Sequence, residues 1–155
     1  MKKNIFIFSL LFCLVGFENI RAQSFSYYPF NSQFAISSNP TNNAFFEGRI
    51  QMNSATSLIT TELGLMVNVQ KNETAVMYLG GGLNFGWANS FLGSDEVLKG
   101  FYGSVGTRVF PFEKYRRVGI NFEITPYTNT NLSVGLLRAW LGLSYSFGEN
   151  KLKKD

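Results

Sequence analysis

The chain has 155 residues, of which 45% are hydrophobic and 16% aromatic, while only 15% are charged and none is histidine. An ordinary soluble domain carries about 25% charged residues, so this composition is poor in charge. One cysteine and no histidine exclude a disulfide framework and the commonest metal ligand, and we predict no cofactor, no metal site and no catalytic residue. The cations form no clustered stripe, so nucleic acid is not an expected partner.

Residues 1–22 have the organisation of a secretory signal peptide. Lys2 and Lys3 precede an apolar run, and Ala22 is a small residue suited to cleavage after it. The run is too short for a transmembrane helix, which needs about 20 apolar residues. Cys13 is lost with this segment. Three cations and one acid leave with it too, so the formal charge of the mature chain falls from +4 to +2.

Six segments of the mature chain alternate apolar and polar residues with the period of two that is typical of β-strands. For example, Leu63, Leu65 and Val67 alternate with Glu62 and Gly64. Most of the segments are long enough for a tilted membrane strand of about 9–11 residues. They cover residues 44–53, 57–69, 75–88, 100–111, 117–127 and 133–147.

A closed small barrel needs about eight strands, so two more would have to come from residues 24–38. Tyr27, Tyr28 and Phe34 are typical of strands, but Pro29 interrupts the pattern. This segment supplies two strands, one strand or a plug, and the residues leave the three possibilities open.

The two faces of the predicted strands differ in chemistry. One face is apolar, and the other carries small polar groups with a few Glu and Arg, while most Lys lie in turns or in the tail. A narrow barrel interior requires small groups and charges that cancel, and lipid requires the apolar face. We therefore predict an all-β, antiparallel, up-and-down transmembrane β-barrel over residues 23–147. A polar periplasmic tail, 148–155, follows it.

Charged residues on the inner face are expected to form an ion-paired network, because buried charges are unfavourable unless paired. Hairpin geometry places Arg108 opposite or one step diagonal to Glu123, and Glu123 likewise near Arg138. It also places Glu62 across from Glu47 and diagonal to Arg49, so that the arginine lies between the two acids. Because the three acids and three bases can pair with one another, we predict an interior that is plugged by ion pairs and contains no open channel. The six residues are Glu47, Arg49, Glu62, Arg108, Glu123 and Arg138.

The glycine run at residues 80–82 is not a phosphate-binding loop, since no helix and no suitable Lys follow it. We expect Gly80, Gly82 and Gly86 to make room for Tyr102 or Trp140 inside the barrel. Aromatic residues near segment ends are predicted to form an interfacial girdle. These are Trp87, Phe101, Phe110, Phe112, Tyr115, Tyr127, Tyr145 and Phe147.

Residues 89–99 form the longest predicted loop. It falls on the outer side if the C-terminus is periplasmic, whereas the turns at 71–74 and 113–117 fall on the periplasmic side. Its apolar residues surround an acidic pair, and we hypothesise contact with another outer-membrane protein or with the headgroup layer. Alternatively, Phe91 and Leu92 extend the aromatic rim, while Val97 and Leu98 begin the next strand. The residues are Phe91, Leu92, Asp95, Glu96, Val97 and Leu98.

These features together resemble the small eight-stranded outer-membrane barrels of Gram-negative bacteria, such as the transmembrane domain of OmpA and the OmpX group. The resemblance rests on the signal peptide, the Gly-rich inner faces, the paired Glu and Arg, and the terminal Tyr145-Ser146-Phe147. Well-known enzymes of this architecture place a His in their catalytic apparatus, and this chain has none. The resemblance does not extend to the peptidoglycan-binding domain of OmpA-type proteins, since we expect only a short polar tail after Phe147.

The predicted function is that of a non-enzymatic, integral outer-membrane barrel that contacts lipid and has a structural or partner-binding role. A second possibility is a soluble secreted or periplasmic barrel that turns its apolar face inward and binds an apolar ligand. It requires Leu63, Leu65, Phe122, Leu141 and Leu143 to point into the barrel. A narrow pore is a third possibility, and a His-free barrel enzyme with an unpaired Glu62 or Glu123 is a fourth.

Overall fold

The computed structural model describes residues 23–52, 59–86 and 97–148. The predicted signal peptide and the polar tail beyond Gly148 lie outside these residues. So do Phe91, Leu92, Asp95 and Glu96 of the predicted partner loop.

The described residues form eight strands, and the six strands predicted from the alternation are all present, with no end shifted by more than three residues. Two five-residue strands precede them. The strands are β1 (Ser24–Tyr28), β2 (Gln33–Ser37), β3 (Ala44–Met52), β4 (Ile59–Lys71), β5 (Ala75–Phe85), β6 (Leu98–Val109), β7 (Val118–Asn129) and β8 (Gly135–Ser146).

The strands make a closed barrel in which each one pairs with its neighbours in the chain. Every pairing is antiparallel, and β1 closes the barrel against β8 by placing Ser24 opposite Ser146 and Tyr27 opposite Leu143. The prediction of an all-β, eight-stranded, antiparallel up-and-down barrel is therefore confirmed. No helix in the described part of the chain is long and apolar enough to cross a membrane.

Residues 24–38, for which three arrangements were possible, supply two strands. A short 3-10 helix, Pro29–Asn31, joins them, and Ser32 adopts the left-handed conformation with a φ of 46°. Proline suits the first helical turn because its fixed φ fits and its missing N–H is not needed there. Because the two strands are short, β8 extends from Gly135 to Gly142 beyond its pairing with β1.

Side chains alternate between lumen and exterior as the sequence predicts. Inward positions hold buried Ser, Thr, Asn, Gln, Glu and Arg together with aromatic residues such as Tyr78 and Trp140. Outward positions hold large apolar side chains that are mostly 37–76% exposed, including Phe25, Ile36, Phe46, Ile50, Leu63, Leu65, Val67, Leu79, Val105, Ile120, Phe122, Ile124, Leu137, Leu141 and Leu143. Charge therefore lies inside the wall and apolar surface lies outside it.

We call the two ends of the barrel the Ser24 end and the Phe30 end. The Ser24 end carries the turns at residues 38–43, 72–74 and 110–117, and the Phe30 end carries those at 29–32 and 130–134. Strand β5 ends and β6 begins at the Phe30 end. The predicted short turns therefore lie at the opposite end from the connection that contains the predicted partner loop.

Glycines on the inner face make room for aromatic side chains. Gly82 lies opposite Tyr102, as predicted, and a Cβ at Gly64 would collide with the Tyr102 hydroxyl. A Cβ at Gly106 would lie 2.5–2.7 Å from the Tyr78 ring. Gly86 instead faces the Lys99 side chain, so its predicted place against Tyr102 or Trp140 is wrong.

Part of the aromatic set assigned to the interfacial girdle lies on the outside of the barrel near its ends. Phe101, Phe112, Tyr115, Tyr145 and Phe147 are 40–63% exposed near the ends of the barrel. Phe110 and Tyr127 are instead buried, because alternation turns them into the lumen. Trp87 lies outside the described residues. Phe25, Tyr27 and Phe34 add an outward aromatic cluster that the sequence analysis missed.

Candidate functional site

The lumen contains all six charged residues that the alternation assigned to the inner face. Glu47, Arg49, Glu62, Arg108 and Glu123 are at most 2% exposed. The Arg138 side chain is 16% exposed, because it lies where β8 extends beyond β1. They come from five strands, since β3 carries two of them and β4, β6, β7 and β8 carry one each.

Arg49 is the centre of the network. Its guanidinium meets Glu123 across the lumen through two contacts, Nη1 to Oε1 at 2.6 Å and Nη2 to Oε2 at 2.9 Å. Its Nε donates to Glu47 Oε1 at 2.7 Å, and Glu62 Oε2 lies 3.8 Å from Nη1. The cation also lies 5.4 Å from the centre of the Tyr102 ring. A guanidinium that meets a carboxylate through two nitrogens is among the strongest hydrogen-bonded pairs in proteins.

Neutral side chains complete the surroundings of Glu123. The Tyr78 hydroxyl donates to Oε2 at 2.8 Å, and the Thr125 hydroxyl donates to Oε1 at 3.0 Å. Trp140 in turn donates its ring N–H to Thr125 Oγ1 at 2.9 Å. Glu123 thus joins opposite walls of the barrel, and hydrogen bonds of this kind offset the desolvation of a buried carboxylate.

A second group of contacts lies towards the Phe30 end. Arg138 Nη1 and Asn84 Nδ2 both donate to Glu62 Oε1, at 2.8 and 2.9 Å. The Arg138 guanidinium lies over two aromatic rings, 5.0 Å from the centre of Tyr127 and 5.3 Å from that of Trp140. Ring faces attract cations, so this end of the network combines an ion pair with two cation–π contacts.

The third arginine is held mainly by neutral groups towards the Ser24 end. Arg108 Nε donates to Asn121 Oδ1 at 2.9 Å, and its Nη2 lies 4.0 Å from Glu47 Oε2. Ser144 donates to the same Asn121 oxygen, while the Asn121 amide donates to Ser26. Two buried side chains nearby, Val76 and Phe110, close this part of the lumen with apolar surface.

Two of the three predicted hairpin placements agree with the register, and one is wrong. Arg108 lies opposite Asn121 and therefore one step diagonal to Glu123, and Glu123 lies opposite Trp140 and one step diagonal to Arg138. Arg49, rather than Glu47, lies opposite Glu62, because β3 and β4 are joined by a connection longer than the predicted four-residue turn. The ion pairs form across the lumen because long side chains of a narrow barrel meet there.

Several members of the network were not identified from the sequence. They are Tyr78, Asn84, Asn121, Thr125 and Trp140, and all of them share the inward parity of the charged residues. Their inward parity is the signal that the sequence offers. It does not single them out, because neutral polar and aromatic residues occur on both faces of a barrel.

The arrangement leaves no buried carboxylate of the described residues without a cation. Glu47, Glu62 and Glu123 each have an arginine nitrogen within 2.6–2.8 Å. A general base needs a lone pair that is open to substrate, and all three carboxylates are buried, including the Oε2 atoms of Glu47 and Glu62 that accept no hydrogen bond from the described residues. The part of the chain that the structure describes also contains no group of three or more His, Cys, Asp or Glu side chains that could hold a metal ion.

Because large side chains fill the lumen, we predict that the protein does not conduct ions steadily. The largest fully buried side chains include Trp140, Arg49, Arg108, Tyr28 and Tyr78, and they occupy the space that an open channel requires. We expect planar-bilayer recordings of the refolded protein to show no large steady conductance. A stable open level in most insertions would contradict the ion-paired plug.

Two residues of the predicted partner loop lie in the described part of the chain. Leu98 is the first residue of β6, and the Val97 carbonyl accepts a hydrogen bond from the Gly86 N–H at 2.9 Å. Leu98 therefore starts the next strand and Val97 directly precedes it, which agrees with the second interpretation of the loop for Leu98.

Comparisons of the chain with protein-family models, with curated proteins and with solved structures found no match.

Proposed function

We propose that this protein is an integral outer-membrane β-barrel, exported with a cleaved signal peptide, whose ion-paired interior plugs the lumen and whose role is structural or is to contact a partner. The observation that carries the proposal is the distribution of side chains across the wall. Apart from Lys71 and Lys99 near strand ends, every charged residue of the described strands points inward.

The exposed apolar surface supports the membrane location. Soluble monomers rarely expose a contiguous apolar patch larger than a few hundred Å². Here large apolar side chains lie on the outside of all eight strands. In a closed barrel, the strands have no unpaired edge where they pair with neighbours on both sides. This pairing satisfies the backbone hydrogen bonds, which is the condition for β-structure in lipid. The resemblance to OmpA and OmpX agrees with this proposal in strand number and polarity of the interior.

The soluble-barrel hypothesis is disfavoured by the same distribution. It requires five marker residues, Leu63, Leu65, Phe122, Leu141 and Leu143, to fill the lumen, and these side chains point outward with exposures of 45–58%. The His-free enzyme is disfavoured because Glu62 and Glu123 both contact arginine.

Cell fractionation tests the membrane location directly. We expect the mature chain to remain with the outer membrane after a high-salt wash and a carbonate wash, and to be released only by detergent. Such treatment removes proteins held by charge alone, because salt screens surface charges. Recovery of the folded protein in the aqueous fraction would refute the proposal.

A partner-contact role is supported by apolar groups at the Phe30 end. Phe30 is 79% exposed and Leu132 is 74% exposed on neighbouring turns. Leu132 has a φ of 56°, and a left-handed conformation costs about 1–2 kcal/mol for a residue that is not glycine. Asn129 fixes this turn by accepting from the Ser133 and Val134 N–H groups. We propose that this end, together with the loop at 89–99, contacts another outer-membrane protein.

Substitution at this end separates binding from folding. We expect Phe30→Ser and Leu132→Asn to leave the heat-modifiable gel shift of the barrel intact, and Leu132→Asn to stabilise it slightly because Asn tolerates a positive φ. Replacing Phe91 and Leu92 by Ser tests the loop in the same way. Co-purification of an identified outer-membrane protein should be lost in these variants and kept in Glu73→Ala, at the Ser24 end. Unchanged co-purification would exclude this contact site.

A further inference from the structure

Strand β8 extends well beyond the strand that closes the barrel against it. β1 pairs with β8 only as far as Tyr27, which lies opposite Leu143. Pro29 follows β1 and has no N–H, so it cannot continue the ladder by donating a hydrogen bond. Residues 135–142 of β8 pair with β7 on one side, and no strand of the described residues pairs with them on the other.

Hydrogen bonds at the Ser24 end show which way each backbone group of β8 points. The Phe147 N–H donates to the Gln23 carbonyl, on the β1 side, at 2.9 Å. The Ser146 N–H donates to the Arg117 carbonyl, on the β7 side, at 2.8 Å. Successive residues of a strand direct their backbone groups to opposite edges, and β8 pairs with β7 without a bulge. Odd-numbered residues of β8 therefore point towards the β1 side, and even-numbered residues point towards β7.

Three residues of β8 consequently direct their N–H and C=O groups to the side that β1 does not reach. They are Leu137, Ala139 and Leu141, and we call their backbone groups the free β8 edge. No backbone hydrogen bond of the described residues reaches these groups from that side. Side-chain exposure agrees, since Leu137 is 76% exposed whereas Leu143, beside β1, is 58% exposed.

Arg138 lies on the inner face between two residues of the free β8 edge. Its Nη1 donates to Glu62 Oε1 at 2.8 Å, but its Nε and Nη2 are buried and have no hydrogen-bond partner in the described part of the chain. An acceptor on a strand beside the free edge would complete the hydrogen bonds of this guanidinium. A carboxylate is the strongest acceptor for this group, because the hydrogen bond is then charge-assisted on both sides.

The proposed function places the free β8 edge in the bilayer. Hydrocarbon neither donates nor accepts hydrogen bonds, so unpaired backbone groups are unfavourable there. An extended backbone is the partner that offers N–H and C=O groups at the spacing of a strand. The β8 edge of a second copy fits poorly, because its inward charge is another Arg138 and like charges on paired strands repel.

We propose that an extended segment of another outer-membrane protein pairs with the free β8 edge as an added strand. Its outward side chains are apolar, like Leu137 and Leu141, and its inward side chain opposite Arg138 is Asp or Glu. The assignment rests on the proposed function and deepens it, because it states how the partner binds and which chemistry it carries.

Hydrogen exchange followed by NMR on the full mature barrel in detergent micelles tests whether the edge is free. We expect the N–H groups of the free β8 edge to exchange at least about tenfold faster than those of Leu136, Arg138 and Trp140, which face β7. Equal protection of the two sets would overturn the assignment. Protection that appears only at high protein concentration would identify a second copy as the occupant and would also overturn it.

A synthetic peptide serves as the probe for the added strand. It alternates Leu and Thr and carries Asp in place of the middle Thr, and the comparison peptide carries Asn there. We expect the Asp peptide to slow exchange at the free β8 edge and to bind about tenfold more tightly than the Asn peptide. Arg138→Gln should bind the two peptides equally. Absence of protection by the Asp peptide, or equal affinity of the wild type for both peptides, would refute the added strand.

A proline variant tests the edge without disturbing the pairing with β7. Ala139→Pro removes an N–H that points away from β7, and proline is tolerated in an edge strand at such a position. We expect this variant to keep the heat-modifiable gel shift and to lose most of its affinity for the Asp peptide. Ala139→Val keeps the N–H and should bind as the wild type does. If Ala139→Pro fails to fold while Ala139→Val folds, this N–H already has a partner and the assignment is wrong.

The carbonate wash distinguishes failure of this assignment from failure of the proposed function. If the wild type stays in the membrane and its two sets of N–H groups exchange equally, only the free edge is wrong. If the wild type itself leaves the membrane, the proposed function is wrong and the added strand falls with it.

Discussion

Arginine at Leu65, Phe122 or Leu141 should prevent stable insertion of the barrel. These side chains point outward at the middle of β4, β7 and β8, where they are 45–49% exposed. If this surface meets hydrocarbon, an arginine near the bilayer midplane should destabilise the inserted barrel by about 2–4 kcal/mol. Urea unfolding in lipid vesicles, followed by tryptophan fluorescence, would measure the loss.

A matched substitution at the rim is the control for this result. Tyr115 is 61% exposed in the 110–117 turn, and Tyr115→Arg should change stability by about 0–1 kcal/mol because charge is tolerated near the interface. Arginine at Thr60 or Ser144 tests the opposite face, where it should act through crowding and charge imbalance. Equal losses at Leu65 and Tyr115, or normal accumulation of Leu65→Arg as soluble protein, would contradict the proposed orientation of the wall.

Period-two alternation predicted most of this fold because burial alternates along a strand. The rule holds even in β7, where Ile120, Phe122 and Ile124 are exposed while Asn121 and Glu123 are buried. The same rule could not assign residues 24–38, since a five-residue strand contains too few alternations and Pro29 lies between the two. Only pairing with β3 and β8 shows that both segments are strands.

The interior could be predicted as a set of residues but not as a set of contacts. Alternation specifies whether a side chain points into the barrel or out of it. It does not specify which residues of two opposite strands lie at the same level along the barrel axis. Arg49 and Glu123 are 74 residues apart and lie on strands that are not neighbours, so no hairpin rule connects them. The long arginine side chain bridges the lumen at a height set by the register of all eight strands together.

A recess over Gly48 on the outward face, between Ile36, Phe46, Leu63 and Leu65, was not predicted for a related reason. Gly48 has the parity of the apolar face, and in the sequence it is one more glycine in a strand. Its importance depends on Ile36 and Leu63, which the register places on either side of it. A recess is a property of neighbouring strands, so it becomes visible only after the pairing is known.

Removal of Glu123 should cause the largest loss among the interior substitutions. Glu123→Ala would leave Arg49 without its contacts at 2.6 and 2.9 Å, and it would also leave the Tyr78 hydroxyl without an acceptor. Breaking a buried pair by deleting one partner typically costs about 3–5 kcal/mol, because the other charge stays buried. Glu73→Ala removes an acid from an exposed turn, and its effect should stay within about 0.5 kcal/mol.

Double-mutant cycles would identify the true partner of Glu123. The structure predicts strong coupling between Glu123 and Arg49, on the order of 1–3 kcal/mol, so Glu123→Ala and Arg49→Ala together should cost much less than the sum of the two. It predicts near additivity for Glu123→Ala with Arg138→Ala, because Arg138 contacts Glu62 instead. Both cycles use urea unfolding in vesicles. Strong coupling to Arg138 with none to Arg49 would show that the charges pair along the hairpin, and the crossed-lumen network would be wrong.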